Sequence, residues 1–429
     1  MRTLYTWLFR AAIPLVLLRL WWRGRVQPEY RERWRERIGR VPARASRAPL
    51  VWVHSVSVGE TLAAVPVIEQ LAARHPHWQW LVTTTTPTGS ERVRAALRPL
   101  LGGRLLHYYL PYDLPECLAP FLDALRPDML VIIETELWPN LLAACKARNI
   151  PTLLANARLS EKSARGYGRF SRLTRAMLDN LTRVVAQYSA DAQRFVALGL
   201  PPERVAASGN IKFDLNIDLG LESEAQALAH QWRGRTGRKV WLAASTHAGE
   251  EEIVLDAFAE LRKDFGDLLL VLVPRHPQRF DGIARLCRER GYKLLRRSDG
   301  GLPGPEHQIL LGDTMGELLR FYGACDTAFV GGSLVPVGGH NMIEPAAWGV
   351  PVVCGPHLHN FATVAELLRA AGGMAVVSDA EQLASQLKEW LGNDSRRRRV
   401  GECGRAVAEE NSGALQRLLS EIEELGEGL

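Results

Sequence analysis

Between residues 48 and 377 the chain alternates short apolar runs with segments of helical period, and this rhythm constrains the fold more than any other feature. The first series predicts strands at 50–54, 80–84, 129–134, 152–155, 184–187 and 205–208, with helical patterns such as 61–74, 139–148 and 190–198 between them. Strands joined in this way can run parallel, because a parallel pair needs a long crossover and a helix supplies it. A polar, glycine-broken stretch at 214–238 reads as a linker. The rhythm then restarts, with strands predicted at 240–244, 268–273, 309–311, 327–330, 350–354 and 375–377. Helices fit 248–265, 280–290, 315–322, 341–348, 360–370 and 380–391, and charged amphipathic helices over 395–425 close the chain. The expected architecture is α/β, with two doubly wound, Rossmann-like domains facing one cleft, since clefts between domains are common ligand sites.

The amino terminus departs from this rhythm. Residues 1–47 hold twelve Arg, no Lys and three Glu, a balance of +9 against +6 for the whole chain, so the remainder is slightly acidic. The apolar and aromatic stretch 4–22 is interrupted by Arg10, Pro14 and Arg19. About 20 mainly apolar residues cross a bilayer, and an arginine near an end can extend to the headgroups. A single span and a helix lying in the membrane plane both satisfy the pattern. Residues 1–22 are assigned as a membrane anchor and 23–47 as a basic juxtamembrane linker. The arginines predict a cytoplasmic body and attraction to anionic inner-membrane lipid. Basicity confined to a membrane-like end argues against nucleic acid as partner.

Candidate chemistry gathers at strand ends, where open α/β sheets bind their ligands. The run LVWVHSVSVGE at 50–60 reads as strand, turn and helix start, which makes Glu60 a candidate base. Its plain alternative is a first-turn acid stabilised by the helix dipole. Glu134 and Glu136 follow another strand, and Lys212 follows a third. Opposite charges there suit a transition state with cationic and anionic centres; an ordinary ion pair would use the same residues. In the second half, Pro274 and Arg275 end a strand and Met315, Gly316 and Glu317 follow another. A glycine-rich loop then leads through Asn341, Met342 and Ile343 to Glu344. Glycines let a phosphate or ribose approach the backbone, helix-start amides attract anions, and Glu344 can accept bonds from ribose hydroxyls. No His, Cys or carboxylate grouping has convincing metal spacing, and no DxD, Walker A or GxSxG motif occurs, so neither metal nor cofactor is expected.

Several longer motifs occur in order: HSVSVGETLAA at 54–64, PTGSERV at 87–93, YLPYDLP at 109–115, ETELWPNL at 134–141 and ANARLS at 155–160. They continue with RFVALG at 194–199, VPRHPQRF at 273–280, GDTMGEL at 312–318, and FVGGSLV, GGHN and Glu344 between 329 and 344. In these motifs, over nearly its whole length, the chain resembles the bacterial 3-deoxy-D-manno-octulosonic acid (Kdo) transferases of lipopolysaccharide synthesis. The resemblance implies a GT-B glycosyltransferase fold, with the acceptor on residues 48–213 and CMP-Kdo on residues 239–403. Residues 404–429 are expected as a helix returning towards the first domain. The resemblance further implies transfer of Kdo, with inversion, from CMP-Kdo to the tetraacylated lipid A precursor at the cytoplasmic face of the inner membrane. By resemblance, Glu60 matches the family's proton acceptor, and Glu134 and Lys212 match its transition-state stabilisers. Pro274 and Arg275, Met315 to Glu317, and Asn341 to Glu344 match the CMP-binding segments, with slight departures around Met342 and Pro345. The alternatives are another GT-B enzyme, such as a nucleotide-sugar epimerase or a different lipid glycosyltransferase, and a non-catalytic nucleotide-sugar sensor on the membrane.

Overall fold

The computed structural model describes every residue except Val26 and Gly428. The chain divides into two units: Met1–Asp214 with Ser412–Leu429, and Leu215–Asn411.

In the first unit β1 (Leu50–His54), β2 (Gln79–Thr84), β3 (Leu105–Tyr109), β4 (Met129–Ile133), β5 (Thr152–Ala157), β6 (Arg183–Ala186) and β7 (Val205–Ala207) form one sheet. The strand order is β3-β2-β1-β4-β5-β6-β7, with every pair parallel. β1, β4 and β5 are buried along their whole length, which is why their centres read as continuous apolar runs, with the polar residues His54, Thr152 and Asn156 confined to the ends. Alternate side chains serve opposite faces: Val51 and Val53 enter one core, Leu50 and Trp52 the other. The sheet grows outward in both directions from β1, so β1 and β4 flank its point of reversal.

The second unit repeats the plan with β8 (Val240–Thr246), β9 (Leu269–Pro274), β10 (Leu294–Arg296), β11 (Ile309–Leu311), β12 (Thr327–Val330), β13 (Val352–Cys354) and β14 (Met374–Val376). Their order is β10-β11-β9-β8-β12-β13-β14, again all parallel. Here β8 and β12 flank the reversal.

Three expectations are corrected. The stretch 214–238 is not a plain linker: Leu219–Arg233 is a helix with Asp218 as its amino-terminal cap. Its Ala225, Leu228 and Trp232 are buried, and Trp232 packs edge-on against Phe321 with ring centres 5.2 Å apart. Residues 404–429 are not the single helix expected: the chain breaks at Gly413, whose φ is +82°, into Asp394–Glu410 and Ala414–Leu425, and only the second piece belongs to the first unit. The second piece enters the first unit's core through Leu415, Leu418, Leu419 and Ile422. Asp214 fastens its start by accepting the N–H groups of Gly413 and Leu415 at 2.5 and 2.8 Å. The basic stretch 23–47 is folded onto the first unit as well as charged. Arg37 is buried and donates to the Thr85 carbonyl, Arg33 donates to Glu36, Ser90 and the His107 carbonyl, and the two guanidiniums cover Tyr109. Arg23, Arg25, Arg31, Arg35, Arg40 and Arg47 remain exposed.

The helix Arg2–Arg23 packs against the first unit along one side. Thr6 is buried and accepts a bond from the Asn140 side-chain amide at 3.0 Å. Phe9 meets the Trp138 ring, and Arg10 makes a two-pronged ion pair with Glu116 at 2.8 and 3.0 Å. The other side exposes Leu4, Trp7, Leu8, Leu15, Leu18 and Trp22. Among the described residues this is the one helix long and apolar enough to cross a membrane.

Candidate active site

In the first unit the groups of interest follow β1, β4 and β7. After β1, Ser57 caps the helix Val58–Arg74, accepting the Glu60 N–H at 3.4 Å. Glu60 returns the interaction, accepting the Ser57 hydroxyl at 2.8 Å and, in place of the cap residue's own amide that a capping box would use, the Val56 N–H at 2.7 Å. The plain structural role is therefore real. Burial nevertheless pushes the Glu60 carboxyl above its usual range, against both bonds; the Glu134 charge adds to the shift and Lys212 opposes it.

Glu134 follows β4 with φ at +64°, a left-handed conformation that a residue with a side chain occupies at a cost of about 1–3 kcal/mol. In this position its Oε1 lies 2.7 Å from Lys212 Nζ. Lys212 follows the edge strand β7, yet Asn156 at the end of β5 draws its turn inward by accepting the Ile211 N–H at 3.2 Å. Asn210 caps the same turn, accepting the Lys212 N–H at 3.0 Å. Glu136 completes the cluster: burial first, then the Glu60 charge, pushes its carboxyl up to about 7. Glu60, Glu134 and Lys212 thus stand within reach of each other's charge, with Glu136 beside them. A carboxyl raised by burial and a paired carboxylate and ammonium share one end of the sheet, beyond the reversal between β1 and β4.

In the second unit Pro274 ends β9 and Arg275 is half-buried, its N–H bound to the Thr246 carbonyl at 3.0 Å. Met315 and Gly316 form an exposed turn after β11, with φ at +84° for the glycine. The Glu317 side chain is engaged within the protein, accepting from Arg297 at 2.9 Å and from the Thr314 hydroxyl. Burial raises its pKa, but those bonds outweigh burial and hold it below the usual range. Asn341 donates to Glu344 at 3.0 Å and accepts the Ile343 N–H at 3.1 Å. The Met342 and Ile343 side chains are fully buried, so this segment offers its backbone, Asn341 and Glu344. Burial pushes Glu344 up to about 6, with the Asn341 bond opposing. The helix expected at 341–348 is shorter, Ile343–Ala347, so a five-residue helix offers less of a dipole than the sequence implied.

One residue escaped the sequence reading. Glu250, fully buried, accepts four backbone N–H groups, from His247 at 2.9 Å, Gly332 at 2.7 Å, Ser333 at 2.9 Å and Leu334 at 2.8 Å. It fixes the loop after β12 to the end of β8. The signal was present: VWLAASTHAGE at 240–250 follows the pattern of VWVHSVSVGE at 51–60 with one residue added. The register between β8 and β9 shifts between Ala244 and Thr246, and Ser245 lies there at φ +56°. A bulge of this kind re-aims the residues that follow it.

A family model for 3-deoxy-D-manno-octulosonic-acid transferase matches residues 32–215, and one for group 1 glycosyl transferases matches residues 250–407. The chain is 41% identical over 420 residues to the 3-deoxy-D-manno-octulosonic acid transferase of Haemophilus influenzae, covering 97% of each protein. Against the Bordetella pertussis transferase of the same name it is 39% identical over 433 residues, covering 99% of each. A solved glycosyltransferase from Rickettsia africae is similar with a TM-score of 0.58 at 15% identity, covering 90% of this chain and all of the other, a likeness of fold alone. With its two parallel Rossmann-like sheets, the chain is a GT-B glycosyltransferase and belongs to the Kdo transferase family.

Proposed function

We propose that this chain transfers Kdo from CMP-Kdo to the tetraacylated lipid A precursor, with inversion, in lipopolysaccharide synthesis. The observation that carries the reading is the meeting of Glu60 with the Glu134–Lys212 pair. Glu60 takes the proton of the acceptor hydroxyl as its oxygen bonds to the anomeric carbon. The bond from that carbon to the phosphate oxygen breaks, and CMP leaves with the electron pair. A carboxyl raised by burial is a better base than an ordinary glutamate, and one close to working pH is best. The sugar carbon becomes oxocarbenium-like, which a fixed carboxylate such as Glu134 stabilises, while Lys212 meets developing negative charge. Arg275, the backbone of Met315 to Glu317, and Asn341 to Glu344 bind the nucleotide. The catalytic step on this reading needs no metal, and full activity in EDTA is the expected result.

The helix Arg2–Arg23 anchors the protein to the cytoplasmic face of the inner membrane. Its polar lock to the body at Thr6 and Arg10, and its apolar outer side, favour a helix lying in the membrane plane over one crossing it. The exposed arginines of residues 23–47 meet anionic lipid.

The test is product mass after incubation of the protein with CMP-Kdo and the lipid A precursor, beside Glu60→Gln. Kdo-bearing lipid from the native protein alone supports the reading and counts the sugars added. Equal activity in the variant would move the base to Glu136, and no product from either would overturn the proposal.

A further inference from the structure

Beyond the residues already described, β9, β8 and β12 bring three histidines to neighbouring strand ends: His276, His247 and His340. The Nε2 atoms of His247 and His340 lie 2.8 Å apart, and the two rings are nearly parallel at 5.0 Å. The ring of His276 stands edge-on to His247 at 5.2 Å. The chain is shaped to permit this. A Cβ at Gly332, whose φ is +67°, would lie 2.9 Å from His340 Cδ2 and 3.5 Å from His247 Cδ2. The strained residue Ser245 and the four amides on Glu250 set the position of His247 from the other side.

Two nitrogens 2.8 Å apart are hydrogen-bonded to each other, and two ligands of one zinc would stand about 3.3 Å apart, from Zn–N bonds of about 2.0 Å at a tetrahedral angle. One ring must carry its proton on Nε2 and the other on Nδ1. A neutral pair therefore presents one Nδ1–H donor and one bare Nδ1. Adding a proton to the bare nitrogen keeps the internal bond and gives the pair two outward donors and a positive charge. Among the described residues neither Nδ1 has a hydrogen-bond partner. The other charges facing the pair are Glu250, Glu251, Arg275 and Arg279. Glu251 is satisfied by Arg279 at 2.6 and 2.7 Å and Glu250 by its four amides, so Arg275 and the imidazoles are the groups left to meet an anion.

Building on the nucleotide-donor reading of the second unit, we infer that His247 and His340, with Arg275, form the seat of the nucleotide phosphate and take up one proton from solvent when it binds. Burial, with Arg275 and the neighbouring histidines, holds His340 down at about 4, and burial also lowers His247, so the free pair is neutral. An anion between the donors favours the charged form, and affinity then rises as pH falls. The product, CMP, leaves as the proton returns to solvent.

The test is equilibrium binding of CMP, cytidine and free Kdo to the full chain in detergent, at about pH 6 and about pH 8, beside His247→Gln and His340→Gln. CMP titrates its own phosphate equally in every protein, so the difference between native and variant isolates the imidazoles. The native protein should bind CMP roughly tenfold tighter at the lower pH than either variant does, while cytidine binds all three alike. CMP affinity and pH dependence unchanged by the substitutions would overturn the inference while leaving the nucleotide site standing. Equal losses for CMP and cytidine, or a loss confined to Kdo, would also overturn it. No CMP binding by the native protein would remove the donor-site reading and the inference together.

Discussion

Lys212 Nζ stands 2.7 Å from Glu134 Oε1, although the two residues are 78 positions apart and follow strands that are not neighbours. The pair exists because Asn156 pulls the turn after β7 across and because Glu134 accepts a left-handed backbone. On the proposed reaction, Lys212→Met removes charge that acts in the transition state. The expected loss in kcat is roughly 10²–10³-fold, the scale of a preorganised electrostatic group. CMP affinity should stay near native, and a loss seen in affinity alone would place Lys212 in binding.

Glu136 gives a pH signature. Its folded carboxyl is pushed from 4.5 to about 7, so between those values the folded protein holds a proton that the unfolded chain has released. Stability contributed by the protonated form is complete below about 4.5, falls as pH rises, and is lost above about 7. Glu136→Gln should therefore raise the thermal midpoint at pH 8 and flatten its fall between pH 5 and pH 7. A midpoint that drops at pH 8 would mean the carboxylate makes a stabilising contact when charged.

The apolar outer side of the first helix can be tested without touching the fold. Leu8→Glu with Leu15→Glu changes two exposed positions and leaves the Thr6–Asn140 and Arg10–Glu116 contacts intact. Partition onto anionic vesicles, followed by sedimentation, should fall by tenfold or more, roughly the cost of placing two charges at a membrane interface. Added salt should weaken the native protein's binding because arginines contribute to it. Unchanged partition would locate the membrane contact elsewhere.

Removal of residues 412–429 should unfold the first unit rather than shorten the protein harmlessly. The deletion strips Leu415, Leu418, Leu419 and Ile422 from its core, and each lost leucine or isoleucine is worth about 2–5 kcal/mol when a cavity remains. Limited proteolysis should then degrade residues 1–214 while sparing Leu215–Asn411. Equal resistance of both units would contradict this account.

How much of this was legible in the sequence depended on burial. The central strands, buried on both faces, announced themselves as apolar runs, and β1, β4, β8 and β9 lie close to their expected places. The two strands the reading missed, β3 and β10, are sheet edges with half-buried side chains, and LLHYY and LLR lack a distinctive pattern. The helix Leu219–Arg233 carries its buried residues Ala225, Leu228 and Trp232 at helical spacing, but the polar stretch before it and the glycine-broken run after it make the whole of 214–238 look like a linker. At the site, Glu60, Glu134 and Lys212 were visible as charged residues after apolar strands. Their meeting was not, because it depends on Asn156 and on a backbone angle. Glu317 looked like a ligand donor and is engaged with Arg297, a partner on the turn after an unrecognised edge strand.

A Gly-Glu corner follows the first strand of each sheet, at Gly59–Glu60 and Gly249–Glu250. Glu250 is saturated by four amides, whereas Glu60 holds one amide and one hydroxyl. The same side chain is a rivet in one unit and, on the proposed reaction, a reagent in the other, and what separates them is how many donors the local backbone supplies. A carboxylate can thus be turned from fastener to base, or back, by remodelling a loop opposite it. The residue itself need never change.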